Sequence, residues 1–231
     1  MKKRDAGRRF KMGTHSGVIK QISKITFAAT ALLVAPTVQA ASVSYFLDQS
    51  NELTNNINYL QVTISDSTTV MGDIDFSIDV LSEAFSVLPG ANFGMQSFSF
   101  NFDDTSAVSA ADITNLNPTT WMISENQNAG GGFFKFDLQL DGTGDSRTEL
   151  LSFSISGVDG DLITSYATGS SLNPSSSEFF AAHVAGFELT DGVTSAQFAG
   201  SSLVPVPVPA ALWLFGSGLI ALAGFVRSKK R

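Results

Sequence analysis

Residues 74–80 read IDFSIDV, and the fold prediction for this chain starts from their pattern. Apolar side chains occupy every second position from Ile74 to Val80, and polar side chains lie between them. A period of two gives a β-strand one buried face and one solvent-facing side. The same alternation recurs in residues 60–64, 97–102, 134–140 and 151–155. The sequence therefore predicts several half-buried strands.

Turn signals such as Asp141-Gly142 and Asp159-Gly160 separate these runs. Between residues 41 and 204, no stretch sustains an apolar repeat of 3.6 residues, which is the mark of an amphipathic helix. Short strands at this spacing predict a mainly β fold, an antiparallel β-sandwich of about eight strands. We expect this domain to span residues 41–204.

The aromatic residues indicate where the core lies. Fifteen of the 19 phenylalanines fall between residues 41 and 204, and we expect them to fill the space between the two sheets. Each buried large apolar side chain contributes roughly 1.5–3 kcal/mol, so such a core holds the domain without disulfides. Phe133 and Phe179 fall on the opposite face and are expected at an edge or on the surface. The phenylalanines expected at the centre are Phe76, Phe98, Phe100, Phe136 and Phe153.

Charge is strongly segregated along the chain. Residues 41–204 hold 20 of the 21 acidic residues and two basic ones, Lys135 and Arg147, so their formal charge is -18. Phosphate contact requires clustered lysine or arginine, which excludes nucleic acid as a partner of this region. The chain has no cysteine, which excludes disulfides, thiolate metal sites and a cysteine nucleophile.

Residues 1–40 have the organisation of a secretory signal peptide. Eight basic residues precede a run of ten apolar residues at 25–34, well short of the ~20 residues that span a bilayer. Small side chains then predict cleavage after Ala40, with cleavage after Ala41 as the alternative. Adjacent arginines at 8–9 hint at a twin-arginine signal, but ordinary secretion is favoured. The implied partners are the secretion translocon and signal peptidase.

Residues 205–231 contain three features in succession. Prolines alternate with valines from Pro205 to Pro209, which keeps the segment extended and accessible to a protease. Residues 210–226 are uncharged and predict a transmembrane helix of about 26 Å at ~1.5 Å per residue. It begins at Ala210, ends at Val226 and has Trp213 near one interface. Its basic tail, which favours the cytoplasmic side, consists of Arg227, Lys229, Lys230 and Arg231.

This order of proline motif, apolar helix and basic tail resembles the PEP-CTERM sorting domain of Gram-negative bacteria, in its Val-Pro-Leu-Pro-Ala variant. The resemblance implies that an exosortase, a membrane-embedded cysteine protease, recognises Pro207, Val208 and Pro209. Val208 stands where the family has a glutamate, a difference that concerns the exosortase subtype. The resemblance also implies export across the inner membrane, a transient anchor there, and delivery to the cell surface or extracellular matrix. A plain membrane anchor predicts the same topology without cleavage.

Residues 41–204 support three functional hypotheses. The favoured one is a non-enzymatic surface or matrix protein, because no catalytic motif is present. Extracellular polysaccharides are the partners that this hypothesis suggests. The second is a glycan-binding or adhesion module that uses exposed aromatic side chains near Trp121 and Phe133. The third is an extracellular hydrolase, whose carboxylate pair would be assembled by folding. His183 lies among small and apolar residues and is expected to be a core or edge histidine.

No cofactor and no metal ligand are predicted, although acidic turns keep calcium as a secondary hypothesis. Asp141, Asp145 and Glu149 place three carboxylates within nine residues of a glycine-rich turn, and calcium takes six to eight oxygens. The complete calcium-loop pattern is missing, and Asp-Gly pairs commonly form plain turns. The acidic face is therefore interpreted as a solubility feature. Two other acidic candidates are Asp159-Gly160-Asp161 and Asp103-Asp104.

Overall fold

The structure, a computed structural model, describes residues 40–85, 92–103, 107–133, 135–169, 177–188 and 192–203. The predicted signal peptide up to residue 39 and the whole predicted sorting segment lie outside these residues. Within the described ranges, no helix is long and apolar enough to cross a membrane.

The described residues form twelve strands and three short 3₁₀ turns. The turns are Ser82–Ala84, Ala110–Asp112 and Ile163–Tyr166. The strands are β1 (Ser42–Leu47), β2 (Gln49–Ser50), β3 (Leu60–Asp66), β4 (Ile74–Val80), β5 (Gly94–Phe100), β6 (Ile113–Asn117), β7 (Met122–Asn128), β8 (Lys135–Asp141), β9 (Leu150–Ile155), β10 (Phe180–Ala185), β11 (Ser195–Gly200) and β12 (Ser202–Leu203).

These strands build two six-stranded sheets. Sheet A has the order β12-β1-β3-β4-β9-β6, and sheet B has the order β2-β11-β10-β5-β8-β7. Every pairing between the strands is antiparallel. The predicted mainly β, antiparallel architecture is confirmed, whereas the expected number of about eight strands was too low.

Several of the strands missed by counting alternating runs fall into three groups, each with its own physical reason. β6 and β7 form the outer edges of their sheets and carry polar residues on both faces. β10 is rich in alanine and buried on both faces, so its sequence shows little contrast between one side and the other. β2 and β12 have two residues each, too few for any local pattern.

Aromatic contacts show that the two sheets pack face to face. The rings of Phe76 on β4 and Phe153 on β9 stack with centroids 4.6 Å apart. Across the interface, the Phe76 and Phe100 centroids lie 5.3 Å apart, and those of Phe98 and Phe153 lie 6.4 Å apart. These four expected core residues are all buried in one cluster.

Phe136 is the exception among the expected central residues. It is fully buried, but it lies in a second, smaller cluster with Ala129, Ala181 and Ala199. The ladder between β5 and β8 ends at Phe100–Leu138. Next to it, the Asp137 N–H donates to the Asn101 side chain. Beside Phe136, a hydrogen bond from the backbone to a side chain thus replaces the backbone ladder between β5 and β8.

The two aromatic residues expected at an edge or on the surface are both half-buried. Phe133 packs against the second cluster, and Phe179 packs against the main core. The ring of Phe179 lies 5.6 Å from the ring of Tyr45 in an edge-to-face arrangement.

Candidate processing and sorting site

The strand pair β1–β12 fixes the position of Leu203, the last described residue before the predicted sorting segment. Tyr45 pairs with Leu203, and Phe46 pairs with Ser202. Because the two strands are antiparallel, β12 runs toward the end of β1 at which Ser42 lies. The Ser202 hydroxyl also donates to the Asp48 carboxylate at 2.8 Å. The entry to β1 and the exit from β12 therefore share one end of one sheet edge.

The predicted signal-peptide cleavage point lies at this same end. Ala40 is half-buried and Ala41 is exposed. The Ala41 N–H donates to the Asp66 carboxylate at 3.1 Å, and the Asp66 N–H donates to the Ala41 carbonyl at 3.0 Å. The β1–β3 ladder then begins with Ser42 opposite Ser65. The folded body thus starts at Ala41.

The predicted exosortase site lies close to the last strand along the chain. Pro207 follows Leu203 by four residues, a reach of at most about 14 Å at ~3.3–3.6 Å per residue. The predicted motif Pro207, Val208 and Pro209 lies outside the described residues. So do the predicted membrane-helix residues Ala210, Trp213 and Val226 and the basic tail Arg227, Lys229, Lys230 and Arg231.

Trp121 does not provide the exposed aromatic surface that the glycan hypothesis required. It is only 4% exposed, and its indole Nε1–H donates to the Ser146 carbonyl at 2.8 Å. Gly142 packs so closely on the indole ring that a Cβ at that position would overlap it. The prediction of an exposed Trp121 was wrong because its ring completes the core where the polar turn of residues 142–146 folds over it.

Two carboxylates of the acidic turns, those of Asp141 and Asp161, already have partners within the domain. Both Asp141 oxygens accept hydrogen bonds from the Gln139 amide, at 2.7 and 2.8 Å. The Asp161 carboxylate accepts the Tyr166 hydroxyl at 2.5 Å. In the part of the chain that the structure describes, no three His, Asp or Glu side chains are grouped so as to hold a metal ion. Asp104 lies outside that part.

Asp159 and Asp161 both line a cleft of about 330 Å³. Asp73, the glycines of two turns, Met71 and Val158 form the rest of its lining. Asp73 is buried and accepts the Ser156 hydroxyl at 2.6 Å. The cleft is thus an acidic depression at one end of the domain.

His183 lies half-buried on β10, as expected for an edge or core histidine. Its strand neighbours are Gln197 on β11 and Ser97 on β5. Burial, and secondly the positive charge of Arg147, lower the pKa of His183. The neutral imidazole is therefore the form that this site favours near neutral pH.

The outer face of sheet A carries a surface that we name the hydroxyl face. Each of its two rows crosses four strands, and the residues of a row lie opposite one another in register. The first row contains Ser44, Thr63, Ser77 and Ser152. The second row contains Ser42, Ser65, Asp75 and Ser154.

Hydrogen bonds organise this face. The hydroxyls of Ser44 and Thr63 lie 2.8 Å apart, and the Ser154 hydroxyl donates to Asp75 at 2.7 Å. The Asn115 amide donates to the Ser154 hydroxyl at 3.3 Å, beside a cleft of about 330 Å³. The serines and threonines of this face are the polar residues that alternate with apolar ones in the predicted strands. From the sequence alone they were interpreted only as a feature that favours solubility.

Comparison with protein families identifies the segment that follows β12. The PEP-CTERM protein-sorting motif matches residues 205–230. The chain therefore carries a PEP-CTERM sorting signal, as its residues had suggested, and the match starts two residues after Leu203. This motif supports export to the cell envelope or surface in Gram-negative bacteria, with sorting by an exosortase. Comparisons with curated proteins and with solved structures give no match.

Proposed function

We propose that the chain is the precursor of a non-enzymatic protein of the bacterial surface or extracellular matrix, and that the β domain is the delivered cargo. The observation that carries this proposal is the sorting motif at residues 205–230, which starts immediately beyond the last strand of the domain. The all-β body contains 20 acidic and two basic residues between 41 and 204, a composition suited to a soluble exported domain.

The proposed sequence of events follows from the charge and hydropathy of each segment. Signal peptidase cuts after Ala40 once the chain has crossed the inner membrane. Residues 210–226 then hold the precursor in that membrane, because the basic tail stays on the cytoplasmic side. Exosortase cuts near Pro207–Pro209, where alternating prolines leave the backbone without strand or helix partners. The domain is released or transferred to the surface.

Mass spectrometry of the native protein tests this proposal. In exosortase-positive cells we expect a mature chain that begins at Ala41 and stops near Pro209, and in exosortase-deficient cells a chain that retains Trp213. The variant Pro207→Ala should accumulate as precursor, whereas Ser124→Ala, on the distant strand β7, should be processed normally. A wild-type chain that keeps Trp213 and the basic tail despite active exosortase would establish a plain membrane anchor instead.

A second candidate function, glycan binding, is favoured by the hydroxyl face. Its rows of hydroxyls, with Asp75 and the amide of Asn115, offer both donors and acceptors to the hydroxyl groups of a sugar chain. The ladder holds these groups at regular spacing, with strands about 4.8 Å apart. The described residues of sheet A contain no lysine or arginine, so this face suits a neutral rather than an anionic polysaccharide.

A binding assay with the matrix polysaccharide separates this candidate from a purely structural role. Ser77→Lys places a long side chain in the middle of the hydroxyl face and should abolish retention on immobilised polysaccharide. Gln127→Lys adds the same charge on β7 of sheet B and should leave retention unchanged. Equal retention of both variants, or no retention of the wild type on a glycan array, would remove the glycan candidate.

Calcium dependence and hydrolysis are the remaining alternatives, and each has a direct measurement. Calorimetry in millimolar calcium should show no shift in melting temperature if the acidic turns serve only solubility. A shift that disappears in Asp159→Asn would support a calcium-dependent form. Likewise, turnover of a polysaccharide that is lost on replacement of one carboxylate would contradict the non-enzymatic proposal.

A further inference from the structure

The link between Ala41 and Asp66 joins the first residue of the folded body to the end of β3. One bond runs from the Ala41 N–H to the Asp66 carboxylate, and the other runs from the Asp66 N–H to the Ala41 carbonyl. The second bond extends the β1–β3 ladder by one position, while the first uses a charged side chain. The backbone nitrogen of Ala41 therefore lies 3.1 Å from a carboxylate oxygen.

Signal-peptide cleavage changes the chemistry of that nitrogen. Hydrolysis of the Ala40–Ala41 amide consumes one water, leaves a carboxylate on Ala40 and leaves an amine on Ala41. The α-amino group has an ordinary pKa of about 7.7–8.0, so near neutral pH it is mostly an ammonium ion with three N–H donors. A single neutral donor facing Asp66 thus becomes a full positive charge.

We propose that Asp66 binds the new N-terminus of the mature protein. Cleavage after Ala40 then creates an ion pair between the Ala41 ammonium group and the Asp66 carboxylate, and this pair stabilises the pairing of β1 with β3. This inference rests on the cleavage position in the proposed function. Cleavage after Ala41 would place the amine on Ser42, which lies opposite Ser65 in the ladder. The contact with Asp66 therefore distinguishes the two predicted cleavage positions.

The surroundings reinforce this pairing. The charged groups near this end of β4, the strand next to β3, are Asp75 on the strand and Asp73 immediately before it, both acidic. Of the two basic residues of the body, Lys135 lies on β8 of sheet B, and Arg147 lies three residues before β9, whose first residue pairs with Asp79 at the opposite end of β4 from the Asp66–Ile74 pair. A new ammonium group at Ala41 therefore meets only attractive charges on the described part of the neighbouring strands.

The ion pair has a consequence for the other end of the domain. β1 lies between β3 and β12 in sheet A, so the strand that Asp66 fastens is also the strand on which β12 rests. Cleavage of the signal peptide therefore consolidates the support of the segment that leads to the sorting motif.

Selective amine labelling of the mature protein tests the proposal. Between residues 41 and 209 the chain has a single lysine, Lys135, which is exposed and serves as an internal reference. The full chain is expressed in its exosortase-positive host, and the purified mature protein is treated with limiting formaldehyde and cyanoborohydride. Mass spectrometry then gives the ratio of α-amine to Lys135 methylation, together with both chain ends.

We expect the wild-type ratio to be lower than that of a variant without the Asp66 charge, because only the uncharged amine reacts and the ion pair favours the ammonium form. Asp66→Asn keeps an oxygen acceptor but removes the charge, and it should raise the ratio about two- to fivefold, the effect of an exposed ion pair. Asp79→Asn, which neutralises an exposed carboxylate on β4, should leave the ratio unchanged.

Two results would overturn the proposal. A mature chain that begins at Ala41 but shows the same ratio in wild type and Asp66→Asn would show that Asp66 does not hold the ammonium group. A mature chain that begins at Ser42 or later would remove the required amine. In both cases the C-terminal end in the same spectrum reports on exosortase processing, so the proposed function is judged separately.

Discussion

Tyr166 shows how a buried polar residue is accommodated in this aromatic core. Its side chain is fully buried, its ring lies 5.5 Å from that of Phe76, and its hydroxyl donates to Asp161 at 2.5 Å. Burial, and secondly the bond to Asp161, raise the pKa of the Tyr166 phenol far above its ordinary value. A phenol hydrogen-bonded to a carboxylate resists ionisation because the phenolate would face a second negative charge.

Replacement of Tyr166 by phenylalanine should lower the free energy of unfolding by about 1–2 kcal/mol at pH 7, since a charge-assisted hydrogen bond is lost. Because the folded-state pKa is raised, the contribution of Tyr166 is complete below pH ~10 and is lost as pH rises beyond it. Urea unfolding at pH 7 and pH 11 should therefore show a smaller penalty for the variant at pH 11. An equal penalty at both pH values would contradict this account.

Comparison of two glycines distinguishes the cost of backbone strain from the cost of steric overlap when a Cβ is added. Gly186 and Gly192 both have positive φ, +86° and +84°, which costs a residue with a Cβ about 1–2 kcal/mol. A Cβ at Gly186 would also overlap the backbone of Asn92, whereas nothing lies within 4 Å of the corresponding position at Gly192.

We therefore expect Gly192→Ala to lower the free energy of unfolding by about 1 kcal/mol, and Gly186→Ala to lower it by at least about twice as much. Thermal or urea unfolding of the two purified variants measures the difference. Equal losses would mean that the strand connection carrying Gly186 moves away from Asn92 without cost.

At the scale of the element, alternation predicted the strands whose two faces have different surroundings. β3, β4 and β9 each bury one side more deeply than the other, and in β3 and β4 this difference alternates residue by residue. β7, at the edge of sheet B, has no buried side chain, so local sequence could not reveal it. Strand order and the hydroxyl face depend on register between distant segments, which a single sequence does not display.

The shortest element, β12, should be the least stable part of sheet A. It pairs with β1 through two residues, and the Ser202 hydroxyl adds one bond to Asp48. Ser202→Ala removes that bond and should speed amide hydrogen exchange in β12 and β1 several-fold, with less than about 1 kcal/mol lost from global stability. Ser124→Ala on β7 is the matched control. Unchanged exchange in the Ser202 variant would show that backbone pairing alone holds β12.

For the molecule as a whole, the net negative charge of the domain opposes its folding into a compact body. Residues 41–204 carry a formal charge of -18, with Lys135 and Arg147 as the only cations. Like charges in a compact body repel one another, so folding must overcome this repulsion through the aromatic core. Composition predicted this property, and the local order of residues predicted the export and sorting signals, because none of these depends on register.

Salt should therefore stabilise the mature domain. The screening length falls from about 30 Å at 0.01 M to about 8 Å at 0.15 M ionic strength, which weakens repulsion across the domain. We expect a higher melting temperature in 150 mM NaCl than in 10 mM NaCl. Calcium chloride at matched ionic strength should give the same shift, whereas a larger one would indicate specific binding. A melting temperature that does not change with salt would show that the repulsion is already balanced.

The neighbouring ends of β1 and β12 also make this fold suited to circular permutation. Leu203 lies opposite Tyr45, so Ala41 is four residues further along β1, about 14 Å at ~3.4 Å per residue. A linker of roughly six residues would close the polypeptide into a ring, and new ends could be opened in an exposed turn such as Asp159-Gly160. Such a permuted chain would keep both sheets, but the domain would no longer be followed directly by the sorting signal. Folding and delivery of the domain could then be engineered independently.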